Sequence, residues 1–196
     1  MAIKALTIDD YTRIARSTAI YPGRFTYPAL GLAGEAGELV DKIFPAKEDT
    51  NLIVMEEDIV KEIGDCLWYT VNIALDLSIG IDYLLETMTG GLSPKTFSAA
   101  AFQRLRRVDD RSSFLKLMVH VGRIAEVAKK ALRDSGGAVD VEKVSLVRAA
   151  LVETFVAIFE ICEKYKIDPD QVAFVNAQKL LSRQSRGKLG GSGDNR

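Results

Sequence analysis

Four carboxylates in two matched pairs carry the chemistry this sequence could perform. Glu35 and Glu38 stand three residues apart in Gly34-Glu35-Ala36-Gly37-Glu38, and Glu62 and Asp65 stand three apart in Glu62-Ile63-Gly64-Asp65. On an α-helix that spacing places both members of a pair on one face. Both pairs lie beside apolar runs: Ala29 to Ala33 precedes the first, and Cys66-Leu67-Trp68-Tyr69 follows the second. A carboxylate on a face due for burial is costly unless something compensates it. Four of them on two neighbouring helices make a concentrated negative site. A hard divalent cation, Mg²⁺ first and Mn²⁺ as the alternative, is the natural compensation, because such ions take oxygen ligands.

One E-x-x-E alone usually reads as a solvated helix face. The surroundings argue for more here. Gly31, Ala33, Gly34, Ala36 and Gly37 crowd the first pair, and the glycines lower helix propensity. Small residues let a second helix or a ligand approach the backbone closely.

These motifs, with Lys61 ahead of the second pair, resemble those of the MazG-like nucleoside triphosphate pyrophosphohydrolases. The resemblance extends to Thr18-Ala19-Ile20-Tyr21-Pro22-Gly23, to the spacing Asn176, Lys179, Arg183, and to the ending Gly191-Ser192-Gly193-Asp194-Asn195-Arg196. It implies an all-α helical bundle that hydrolyses a nucleoside triphosphate to the monophosphate and pyrophosphate. Glu35, Glu38, Glu62 and Asp65 would be the metal ligands and catalytic acids. Lys179 and Arg183, with Asn176 and secondarily Lys42, would meet the phosphates. Tyr69 and Asn72 would border the sugar or base, and Tyr21 and Trp68 the base pocket. Each of Trp68, Tyr69 and Asn72 equally suits a core position, and Tyr21, Phe25 and Tyr27 suit helix packing.

Composition narrows the alternatives. A net charge of −1 gives no attraction to nucleic acid or membrane surfaces. No apolar run reaches the roughly 20 residues of a membrane span. The start, Met1-Ala2-Ile3-Lys4, lacks a signal-peptide apolar region, so a cytoplasmic protein is expected. Cys66 and Cys162 sit in apolar helical patterns and read as buried thiols in a reducing compartment. A single histidine, His120, argues against a Ser-His-Asp triad, a histidine-rich zinc site or a di-iron bundle. His120 itself reads as a packed side chain. Hydrophobic content of 47% leaves room for a homodimer.

The elements that must position the acids follow from periodicity and caps. Thr7 caps a helix running to about Ser17, with Asp10 at the capping-box position. A second helix starts near Pro28 and reaches about Phe44 before Pro45. After a polar connection over 46–54, a long helix spans Met55 to about Ser78, its stripe formed by Ile59, Ile63, Cys66, Val71 and Ala74. A short helix begins near Asp82. Gly90-Gly91-Leu92-Ser93-Pro94 is the strongest break in the chain. Beyond it, helices are expected at about 95–108, 112–134, 140–166 and 169–184.

An offset of 88 residues sets Gly122 on Gly34, Glu126 on Glu38, Lys130 on Lys42 and Glu153 on Asp65. This reads as a diverged tandem of one helical unit: residues 1–90 with the acid site, 91–186 as a degenerate copy, and 187–196 as a glycine-rich tail. The second copy has Arg123 where the first has Glu35, and Ala150 where it has Glu62. A guanidinium there replaces a cation. Conversely, the positions matching Asn176, Lys179 and Arg183 are Gly90, Ser93 and Phe97, so each copy keeps what the other lost. The expected arrangement is an intrachain pseudo-dimer sharing one site. The basic groups Arg104, Arg106, Arg107 and Lys129, Lys130, Arg133 read as solvated helix faces. A non-catalytic helical module binding a nucleotide or a protein, or a relative acting on phosphoribosyl-ATP, are the rival functions.

Overall fold

The computed structural model describes residues 6–22, 24–45, 56–105 and 112–190. Among these residues the secondary structure is entirely helical. The elements are α1 (Ile8–Ser17), α2 (Thr26–Ile43), α3 (Glu56–Asp76), α4 (Ile81–Thr89), α5 (Phe97–Gln103), α6 (Ser113–Ser135), α7 (Val141–Tyr165) and α8 (Pro169–Ser185).

Local chemistry sets the ends. Thr7, Thr96, Ser112, Asp140 and Asp168 each accept a backbone N–H of the turn they open. Pro169 follows its cap directly, where a missing N–H costs nothing. Gly90 and Gly136 end α4 and α6 in the left-handed region, at φ 75° and 59°. That conformation explains why the Gly90–Pro94 break is abrupt.

Two long hairpins, α2–α3 and α6–α7, form the centre, and α2 packs along α6. Their apolar stripes meet in one core built from Leu32, Leu39, Ile63, Leu67, Phe155 and Phe159. The shorter helices cross over: α8 lies on α3 and α1, while α4 lies on α7 and α5. Exchanging α1–α4 with α5–α8 maps most of these pairings onto one another. Thus α3–α8 becomes α7–α4, α1–α8 becomes α5–α4, and α2–α6 and α3–α7 map onto themselves.

Two sequence expectations need correction. The helix expected over 95–108 runs only from Phe97 to Gln103, because Arg104 leaves the helical region at ψ 143°. Arg104 is not on a solvated face. It is 8% exposed, and its guanidinium donates to Glu163 and to the Ala101 carbonyl. Cys66 and Cys162 are buried free thiols, as read from their patterns. No described helix is long and apolar enough to cross a membrane.

Candidate active site

Helices α2 and α3 lie side by side and turn their acids toward each other. Glu35 on α2 and Glu62 and Asp65 on α3 each bring a carboxylate oxygen within 4.8 Å of the others. Glu38 lines the same cavity but stands more exposed, outside that close group. The cavity measures about 520 Å³.

Glycine makes part of this approach possible, at two positions. A Cβ on Gly31 would overlap the Tyr69 ring. A Cβ on Gly64 would lie 2.9 Å from Cβ of Asn176, which real side chains do not tolerate. Gly34 and Gly37 differ from expectation: a Cβ at either meets open space. Their smallness admits no protein neighbour.

Helix α8 arrives from the far end of the sequence and fixes Asp65. Asn176 Nδ2 donates to Asp65 Oδ1 at 2.9 Å, and Lys179 Nζ donates to Oδ1 at 2.7 Å and Oδ2 at 2.5 Å. Lys42, one turn beyond Glu38 on α2, donates to Glu62. Arg183 lines the cavity and is 6% exposed, so it is no solvated helix end.

Sequence reasoning missed Tyr11. Its hydroxyl is fully buried and donates to Asn176 Oδ1 at 2.9 Å. The amide is thereby oriented with its nitrogen toward Asp65. Tyr11 sits on the apolar stripe of α1 with Ile8 and Ala15, so its pattern announces only a core residue.

Burial governs the electrostatics. The Glu35 carboxyl is pushed up to about 8, first by desolvation and then by repulsion from Asp65, Glu38 and Glu62, with Lys179 opposing weakly. Glu62 also rises through burial, although Lys42 pulls it down. Burial raises the Cys66 thiol beside these acids, so it is a neutral, inert group.

The opposite wall is aromatic. Tyr21 and Tyr27 stack with centroids 4.9 Å apart, and Trp68 meets both Tyr21 and Tyr69 edge-on. The chain leading out of α1 is pinned over the cavity at several points. Trp68 Nε1 donates to Thr18 Oγ1 at 3.1 Å, Tyr21 donates to Asp76 Oδ2 at 3.0 Å, and Gln184 Nε2 donates to the Ser17 carbonyl at 3.1 Å. Leu189 and Gly190 of the tail also line the cavity; residues 191–196 lie outside the described residues. Asn72 does not line it. Asn72 is buried and donates to the carbonyls of Ala15 and Trp68, bracing α1 against α3.

The donor set suits a hard divalent cation. Three carboxylates converge from two helices, and burial, with repulsion among them second, already drives Glu35 toward protonation. On α6 and α7 a second cavity of about 1120 Å³ is lined by Arg123, Glu126, Ala150 and Glu153, among others. Glu126 is held there by Lys129 and Lys130. Among the described residues, a group of acids able to hold a metal occurs on the α2–α3 side.

A helical bundle that converges carboxylates under an aromatic wall has the makings of a nucleotide-handling protein, and sequence comparison identifies the family. Residues 27–89 match the model of the MazG nucleotide pyrophosphohydrolase domain, and the chain belongs to that family. It is also similar to the Gene 37 protein of Mycobacterium phage L5. The two are 34% identical over 93 residues, which cover 42% of this chain and 78% of the phage protein. No solved structure matches the chain significantly.

Proposed function

We propose that the protein is a Mg²⁺-dependent nucleoside triphosphate pyrophosphohydrolase releasing the nucleoside monophosphate and pyrophosphate. The observation that carries this reading is the convergence of Glu35, Glu62 and Asp65 within 4.8 Å beside an aromatic-walled cavity. Those three carboxylates would hold the cation. When bound, such an ion supplies positive charge against the phosphate oxygens and raises the acidity of the attacking water.

The remaining groups then have distinct tasks. Glu38, which lines the cavity outside the close group, would take the proton of the water that attacks the α-phosphorus. The bond from that phosphorus to the β-phosphate oxygen breaks, and pyrophosphate leaves with the bonding pair. Arg183 presents a guanidinium fork to the departing oxygens, and Lys179 and Lys42 add ammonium charge. Tyr21, Tyr27, Trp68 and Tyr69 offer the base a stacking surface and exclude water from one side.

We also infer that residues 1–90 and 91–186 are diverged copies sharing one site. Supporting this are the interchange of helix pairings under exchange of the two halves and the reach of α8 across to Asp65. The test of function is a panel of ribo- and deoxyribonucleoside triphosphates with Mg²⁺, read by pyrophosphate release. Pyrophosphate with the monophosphate is the expected product pair. Release of inorganic phosphate, or no turnover with any triphosphate, overturns the reading.

A further inference from the structure

Three carboxylates packed this closely need countercharge even before a cation arrives. Lys179 binds both oxygens of Asp65, and Lys42 binds Glu62. The Asp65 side chain is 19% exposed and that of Glu62 4%, so water screens neither pair well. Lys179 occupies both oxygens of Asp65, so the oxygen Asp65 would offer a divalent cation is already engaged. Both cannot hold the same lone pairs.

Asp65 has two partners of different character. Asn176 is 2% exposed, is wedged against Gly64, and is anchored by the Tyr11 hydroxyl. It can neither swing away nor turn its amide round without losing that bond. Lys179 sits on a flexible four-carbon stem with its side chain 16% exposed. One partner is fixed and the other can leave.

We propose that Lys179 is an exchangeable internal counter-cation. It holds Asp65 in the metal-free protein, yields its oxygens when the divalent cation enters, and then turns its ammonium to the phosphates. Lys42 plays the lesser, parallel part at Glu62. Asn176, locked by Tyr11, keeps Oδ1 oriented throughout, so Asp65 is not released into a new rotamer when the lysine departs. The inference rests on the metal-site reading above and adds the order of events: the phosphate-binding charge becomes available only once the metal is in place. A triphosphate without its metal would meet a lysine already engaged.

The exchange predicts effects of opposite sign for one substitution. In calorimetric titrations of the full chain with MgCl₂ alone, Lys179→Met should bind the ion roughly tenfold more tightly than wild type, because a competitor of charged hydrogen-bond strength is gone. With Mg²⁺ saturating, the same variant should bind inorganic pyrophosphate several-fold more weakly. Loss of charge alone could tighten metal binding, so a second readout follows the lysine itself. Brief acetylation of wild type, read by peptide mass spectrometry against exposed Lys95, should modify Lys179 slowly in chelator and faster with Mg²⁺. Adding pyrophosphate to the Mg²⁺-loaded protein should slow it again. If Mg²⁺ binds and triphosphate is hydrolysed while Lys179 reactivity stays constant, the exchange is wrong and the metal-site reading survives. If wild type binds no divalent cation, both fall together.

Discussion

The Tyr11 hydroxyl donates to Oδ1 of Asn176 at 2.9 Å across 165 residues of sequence, and that single bond decides which way the Asn176 amide faces. Because the oxygen is taken, the nitrogen must point at Asp65, 2.9 Å away. Burial raises the Tyr11 hydroxyl far above the usual tyrosine range, with the Asp65 charge adding to it, so it remains a donor at every working pH. A residue in the first helix thus orients an acid in the third through a side chain of the last.

Tyr11→Phe preserves the edge-on packing against Phe97 and removes only the donor. The buried amide oxygen it leaves behind should lower stability by about 1–3 kcal/mol, seen in denaturant titration. A freed amide can rotate, so Asp65 loses orientation and the Mg²⁺ concentration giving half-maximal turnover should rise several-fold. A variant with lower stability and an unchanged Mg²⁺ requirement would reduce Tyr11 to a packing role.

The acids divide into those the site needs and those it does not. Asp65→Asn and Glu35→Gln each remove a carboxyl ligand from the close group, and kcat/KM should fall by about a hundredfold or more if cation binding supplies several kcal/mol of stabilisation. Glu126→Gln breaks only an exposed pairing with Lys129 and Lys130 and should leave turnover close to wild type. Comparable losses from both groups would place the chemistry elsewhere.

Two glycines next to the acids should respond in opposite directions. Gly64→Ala drives a methyl to 2.9 Å from Asn176 Cβ, so α8 must move back. A cost of about 1–3 kcal/mol is expected, with a larger proportional loss of activity, because Asn176 and Lys179 retreat together. Gly34→Ala meets nothing within 4 Å in the middle of α2 and should raise stability by roughly 0.5–1 kcal/mol. Thermal unfolding without nucleotide separates the two.

Much of this was legible in the amino-acid order, and what was not has a common cause. The acid pairs, the cap at Thr7 and the break at Gly90 are written in short-range spacing, and spacing is what helices obey. Complementary losses point to one site shared by both halves, with Lys179 and Arg183 at the phosphates; they do not foretell the contact of Asn176 and Lys179 with Asp65 itself. Tyr11 and Arg104 escaped because their roles depend on partners 165 and 59 residues away. Tyr11 looks like core on its own helix, and Arg104 looks like surface. Asn72 shows the converse: one turn after Trp68 it has the spacing of a cavity residue, yet the close approach of α1 turns its amide to backbone carbonyls.

The raised Glu35 carboxyl gives the metal-free protein a distinctive pH response. Its ordinary value is 4.5, and in the fold it lies at about 8, so between those values the folded state keeps a proton that the unfolded chain has released. Stability rises with pH only where the unfolded state binds more protons, and here the folded state does. The contribution is therefore complete below the ordinary value and is lost as pH climbs through about 8. Glu62, also raised by burial, acts in the same direction. In chelator, Tm should decline steadily across this window, opposite to the usual behaviour of a salt-bridged carboxylate. Saturating Mg²⁺ should flatten the decline, because the ion favours the deprotonated acids and binds the folded chain alone. Differential scanning fluorimetry at several pH values, with and without Mg²⁺, makes the comparison. Glu35→Gln should show a shallower slope in chelator and little rescue by the ion. If wild type and Glu35→Gln decline alike, the buried Glu35 carboxyl is not the origin of the slope.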